Sequence, residues 1–413
     1  MDLNNWTATK PHPQAALSYY AVAYGNAAGN DEFVAVGPSS LVRSRDEGAT
    51  WINDSVITGA NTTKVYYSVA YGSGVFVAVG SVTSRWNGSA WSPQITQTIN
   101  GVTYFMRAVG HGTPSVGGLF VAVGDAGKIS TSPDGVTWTA RTSPTSSGLR
   151  TIAFGNQLFL VGADSGEVLT SPDGVTWTLA ASPSANFLRV LMFANNLFVG
   201  VDNGKKVWTS SNGASWTNLS PGLAIVDPMN GIDLGFDTFA LCGVNGSIHT
   251  SPNGVVWTKR ISGSMQHLGG IAYGKNRFVT VGAQGHIVRS PEYPSSDLSA
   301  LTCSGGSLTP GFDSLVTTYG ADVARNVVTV TPTSEDPGAT IRVRIDSGSD
   351  LVVASGTPSA AGDLAGRRTR TFYITVTARN NATKVYTLTI YRRGWLSILS
   401  WWIYQIGGLI RWP

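Results

Sequence analysis

The sequence predicts an all-β chain: a seven-bladed β-propeller closed by its N-terminal strand, then a β-sandwich and a short apolar C-terminal helix. Three observations point there. A block of four short strand-like runs recurs about every 40 residues over the first two thirds of the chain. Alternating runs of a different spacing fill 298–393, and residues 394–413 are almost wholly apolar. The expected domains are therefore 1–296, 297–393 and an anchoring segment at 394–413.

The composition fits many short strands joined by tight turns. Of 413 residues only 13% are charged, against roughly 25% in an average domain, while Gly reaches 49. With 13 Trp, 14 Tyr and 14 Phe, the chain is neither disordered nor a coiled coil. The net charge of +4 is spread with no basic run longer than a pair, which argues against nucleic acid as a partner. Cys242 and Cys303 fall in different predicted domains and form no disulfide framework or metal spacing. The N-terminus MDLNNWTATKPHPQ has neither a basic nor an apolar signal region, so no secretory leader is expected.

One complete repeat spans 150–180, RTIAFGNQLFLVGADSGEVLTSPDGVTWTLA. Its runs RTIAF, LFLVGA, EVLTS and TWTLA are separated by Gly155-Asn156, Asp164-Ser165-Gly166 and Pro172-Asp173-Gly174, the chemistry of tight antiparallel turns. The fourth run is marked by Trp51, Trp91, Trp138, Trp177, Trp216 and Trp257. The second is marked by FVAVG at 33–37, 76–80 and 120–124 and by variants beginning at 158, 197, 239 and 278, the 197 copy read as having a loop one residue shorter. One such sheet cannot cover both of its apolar faces; radial stacking does. The seventh copy lacks a fourth run, and Asn5-Trp6-Thr7-Ala8-Thr9 reads like Trp138-Thr139-Ala140-Arg141-Thr142. The N-terminal strand is therefore expected to complete the last sheet and remove an open edge.

The turn between third and fourth runs resembles the Asp-box of sialidase-type propellers. Its fullest copy is Ser44-Arg45-Asp46-Glu47-Gly48-Ala49-Thr50-Trp51, with shorter copies at 132–138 and 171–177, Asn for Asp at 210–216 and 251–257, and no acid at 84–91. A short Asp or Asn can cap its own turn, Gly can take the left-handed position and Trp can fill the gap between sheets, so the box has a structural explanation. The resemblance places such turns away from the ligand face.

On the opposite face two patterns coincide. Arg107, Arg150 and Arg189 begin the first run of three consecutive repeats, and Asp125, Asp164 and Asp202 each stand two residues before a Gly in the following turn. In sialidases three arginines grip a substrate carboxylate, and the guanidinium fork suits that task. The resemblance thus implies an anionic-sugar site; the co-occurrence of Arg with Asp instead predicts repeated structural ion pairs. All six are candidate ligand-binding residues, with structural pairing the expected role. No spacing singles out a nucleophile and acid, sialidase propellers have six blades, and Glu is scarce, so no catalytic residue is assigned. His12, His111, His249, His267 and His286 lack metal-ligand spacing, and neither metal nor cofactor is expected.

Residues 298–393 resemble the bacterial cadherin-like β-sandwich module. The resemblance rests on Leu298-Ser299-Ala300-Leu301, Leu308-Thr309-Pro310, Val328-Thr329-Val330-Thr331-Pro332, and the paired runs 372–378 and 384–390. It implies a spacer or adhesion module, without the acidic clusters that bind calcium. The tail GWLSILSWWIYQIGGLIRWP presents Trp395, Trp401, Trp402, Ile406 and Trp412 for docking on a partner, a groove contact being preferred to a membrane span because Gln405, Gly407 and Gly408 interrupt it. Together these features suggest a non-enzymatic virion surface protein, a bacteriophage fibre, tail or capsid component assembled in the host cytoplasm. Its propeller would bind host-surface glycan or protein, its tail other virion subunits, and self-association is compatible. The alternatives are a sialidase-like glycan hydrolase and a bacterial surface adhesin.

Overall fold

The computed structural model describes residues 6–9, 18–54, 64–96, 98–99, 102–115, 117–219, 225–293, 295–314, 316–336, 338–366, 368–379 and 381–392. The expected C-terminal helix, with Trp395, Trp401, Trp402, Ile406 and Trp412, lies outside them. The chain divides into two compact units, 2–291 and 292 onward.

The first unit is built of propeller-like blade sheets, most of them up-and-down meanders of consecutive strands. The fourth in chain order shows the pattern: Leu149–Gly155, Leu158–Ala163, Val168–Ser171 and Thr178–Ala180, each antiparallel to the next. The second strands are sealed on both sides by neighbouring sheets. That is why FVAVG-type runs are apolar without alternation, with Phe33, Phe76, Phe120, Phe159, Phe198, Phe239 and Phe278 buried. Phe198–Val207 and Phe159–Val168 have equal spacing, so the shorter loop expected after 197 is absent; instead Gly200 and Gly204 each stand one place earlier than Gly162 and Gly166.

The first strands Ala21–Ala27, Tyr66–Gly72, Met106–Gly112, Leu149–Gly155, Leu188–Ala194, Met229–Gly235 and Leu268–Gly274 pack each against the next, Leu268–Gly274 also against Ala21–Ala27, and residues at their starts line a common channel. Thr7–Thr9 pairs with Ile287–Arg289, Ala8 opposite Val288, and supplies the outer strand of the sheet that holds Leu268–Gly274.

The second sheet has three strands, ending at Thr83–Trp86. Trp91, expected in a fourth strand, makes an isolated bridge to Trp86, and its indole donates to Asp54 at 2.8 Å. Asp54 and Glu32, both fully buried, hold Arg43 between them, and the guanidinium lies 4.0 Å above the Trp86 ring. Pro93 follows without an N–H to extend the ladder.

Neighbouring sheets lock through an aromatic belt. The aromatic near the end of each first strand lies over the glycine of the preceding sheet: Tyr71 over Gly25, His111 over Gly72, Phe154 over Gly112, Phe193 over Gly155, Tyr273 over Gly235 and Tyr24 over Gly274. A Cβ at any of these glycines would stand within about 2.4 Å of the ring. Where Ala194 replaces glycine, the facing position carries Leu234, and both pack on one apolar cluster.

The box turns behave as structural caps. Asp134 Oδ1 accepts from the N–H groups of Val136 and Thr137 at 2.8 Å, and Asn212 and Asn253 make the same pair in their turns. Gly135, Gly174 and Gly213 adopt φ of 71–74°, and Trp177 and Trp257 donate to their turn glycine's carbonyl at 3.0 Å. The second sheet has lost the acid but not the cap, since Asn87 accepts from Ser89 and Ala90.

The second unit is a β-sandwich. A six-stranded sheet runs Leu308–Thr309, Thr318–Val323, Thr383–Arg392, Thr369–Thr377, Thr340–Ile345 and Leu351–Val353, with one parallel pair, Thr318–Val323 on Thr383–Arg392. Leu298–Cys303 pairs with Val330–Ser334. Leu298, Leu301, Val330, Phe372, Ile374 and Leu388 share the core. Period-two alternation put these residues inward, as the burial of Phe372, Ile374 and Val376 shows.

Candidate binding site at the channel mouth

The first strands bring equivalent residues to one rim of the channel: Tyr20, Tyr67, Arg107, Arg150, Arg189, Asn230 and Gly269. Tyr20 and Tyr67 stack with centroids 5.9 Å apart and planes 2° from parallel. The Arg107 guanidinium lies 4.3 Å above the Tyr67 ring. An aromatic sector therefore passes directly into a cationic one.

Two of the three expected ion pairs form. Arg107 grips Asp125 with its Nε and Nη2, at 2.9 and 2.8 Å. Arg150 grips Asp164 in the same way and also reaches Asp125 at 3.2 Å, linking adjacent sheets. The hydrogen bonds and charge of Arg107 hold the Asp125 carboxyl below its ordinary range, and Asp125 in turn raises Arg107.

The third pair does not form. Arg189 makes no ion pair with Asp202; its Nε donates to the Met229 carbonyl, Nη1 to Asn203 Oδ1 at 3.1 Å and Nη2 to Asn230 Oδ1 at 2.7 Å. Strand register explains this. Val207 is the counterpart of Val168, so Asn203, not Asp202, occupies the place of Asp164. The displaced Gly204 made the sequence spacing misleading. Asp202 corresponds to buried Ala163 and accepts instead from Ser184, the Trp208 indole and the Lys206 N–H. Desolvation lowers the pKa of Arg189.

Arg189 and Arg150 face a pocket of about 330 Å³ with Tyr20, Phe187, Asn230 and His267. Asn230 and His267 were missed from sequence. The signal for Asn230 was positional, since it stands where preceding repeats carry Arg; nothing marked His267. No group of three or more potential metal ligands occurs among the described residues, and no helix among them is long and apolar enough to cross a membrane.

Residues 298–393 match the family of cadherin-like beta sandwich domains, and residues 119–221 match the DUF6242 beta propeller domain. The chain is a β-propeller followed by a cadherin-like β-sandwich. This β-propeller and cadherin-like chain is similar in fold to YCF48 bound to D1 peptide, at 17% identity over 70% of this chain and 96% of that one, TM-score 0.56. It is also similar to the extracellular domain of BT4673 from B. thetaiotaomicron, at 11% identity over 95% of this chain and 59% of that one, TM-score 0.55. The WD40 beta propeller of Doa1 is 10% identical over 70% and 97%, TM-score 0.50. No curated protein matches. At these identities the likeness is one of fold, and the two-domain architecture is consistent with a surface or binding protein.

Proposed function

We propose that the chain is a non-enzymatic virion surface protein, of fibre or tail, whose seven blade sheets form one ring and whose channel mouth binds host-surface glycan or protein. Residues 394–413 would dock it into the particle, which assembles in the host cytoplasm. The observation that carries the binding assignment is the rim itself. Stacked Tyr20 and Tyr67, then Arg107, Arg150 and Arg189, concentrate aromatic and cationic groups on one concave face. Binding is favoured over glycoside cleavage because a general acid needs a raised pKa, whereas Arg107 lowers that of Asp125. The cadherin-like unit supports a spacer role. Mass spectrometry of purified source virions tests the reading: the chain is expected in particles at fixed stoichiometry, and its absence overturns the virion assignment.

A further inference from the structure

Arg107 and Arg150 are neutralised by their own carboxylates, but Arg189 is held only by neutral oxygens. The contrast matters because an uncompensated guanidinium in a pocket is a standing site for an anion. Its neighbours add a second property. Arg189 can only donate, so Asn230 must turn Oδ1 towards it; Asn230 Nδ2 then donates to the Leu268 carbonyl at 2.9 Å and faces His267 Nε2 at 3.2 Å. His267 Nε2 must therefore accept, which fixes a neutral imidazole with its proton on Nδ1.

Protonating Nε2 would set two donors against each other unless an anion accepts from both. We propose that Arg189, Asn230 and His267 form a proton-linked anion site, taking the carboxylate of an acidic sugar and a proton onto His267 together. This rests on the channel mouth being the binding face and names its ligand class. The pocket of about 330 Å³ is at the lower end of the volumes small ligands fill, and the exposed Tyr20 ring beside it offers a flat wall for one face of a sugar ring. The groups facing the imidazole are Arg189 and Asn230 from the two preceding sheets, with Arg150 and Tyr20 across the pocket; the adjoining turn 283–285 brings no titratable side chain. Burial and then the charge of Arg189 already hold His267 below its ordinary value, a strain that a bound carboxylate relieves.

The test is calorimetric titration of the full chain with D-glucuronate, D-glucose and a short peptide with a free C-terminus, between pH 5.5 and 8. The expected result is binding of glucuronate and not glucose, about tenfold tighter at the lower pH. His267→Gln should flatten the pH dependence, Arg189→Gln should remove binding with the melting temperature kept, and Arg141→Ala on an outer strand should change nothing. Equal binding of glucose, a pH-independent affinity, or full binding by Arg189→Gln each overturns the site, and capture of the peptide alone overturns the sugar assignment. Loss of this site would leave the virion reading standing, and absence from particles would leave the site standing.

Discussion

Trp6 stacks on Phe278 with ring centroids 6.0 Å apart and planes 25° from parallel, joining the strand at 7–9 to a sheet whose other strands begin at residue 268. Its indole is 5% exposed. Trp6→Ala is expected to cost about 3 kcal/mol of unfolding free energy, with that sheet exchanging amide hydrogens first. Denaturant titration with hydrogen exchange checks this; unchanged stability would mean the strand is held by its ladder alone.

The belt of aromatics over glycines gives a double-mutant test. A Cβ at Gly155 would stand 1.8 Å from Phe193 Cγ, so Gly155→Ala should destabilise by about 2 kcal/mol. Adding Phe193→Leu copies the natural pairing of Ala194 with Leu234 and should restore at least half of the loss. Additive effects in thermal melts would show that the two positions are not coupled.

Asp233 ties adjacent sheets by accepting from Tyr273 N–H at 2.7 Å and from its neighbour Leu234. Burial pushes its carboxyl up to about 6, above its ordinary 3.8. Between these values the folded chain keeps a proton that the unfolded chain has released, so its contribution to stability falls as pH rises from about 4 to 6 and is level above. Asp233→Asn should gain about 2 kcal/mol relative to the parent between pH 4 and 7. A constant difference between the two proteins across that range would refute this.

Burial works against the charge on Asp134, yet the N–H groups of Thr137 and Val136 draw its carboxyl down to about 2. Its contribution is present above pH 4 and is lost as pH falls through 2. Asp134→Asn should be close to neutral at pH 7, because Asn212 and Asn253 make the same bonds in their turns, whereas Asp134→Ala should lose about 1 kcal/mol. Urea midpoints of the two variants decide it.

Repeat spacing made the blade sheets, the capping turns and the strand contributed by Thr7–Thr9 legible, because each repeated turn carries its own backbone chemistry. The belt was equally visible as aromatic-glycine dipeptides such as Tyr24-Gly25 and Phe154-Gly155, but its meaning needs the facing sheet. The Arg43, Glu32 and Asp54 cluster left no trace, since Glu32 and Arg43 come from separate strands of one repeat, Asp54 from just past another, and all pack under Trp86 of the next. At the mouth, the pairs of Arg107 and Arg150 followed from spacing. Arg189 did not, because one displaced glycine hid that an amide had replaced the carboxylate.

Pairing of Ala8 with Val288 also has a consequence for biosynthesis. The strand at Thr7–Thr9 leaves the ribosome some 280 residues before its partner, a wait of roughly 15–60 s at ordinary translation rates. Throughout that interval the nascent polypeptide carries an unmated β-segment and an unsealed cavity, so chaperone dependence should end abruptly once Ile287–Arg289 clears the exit tunnel.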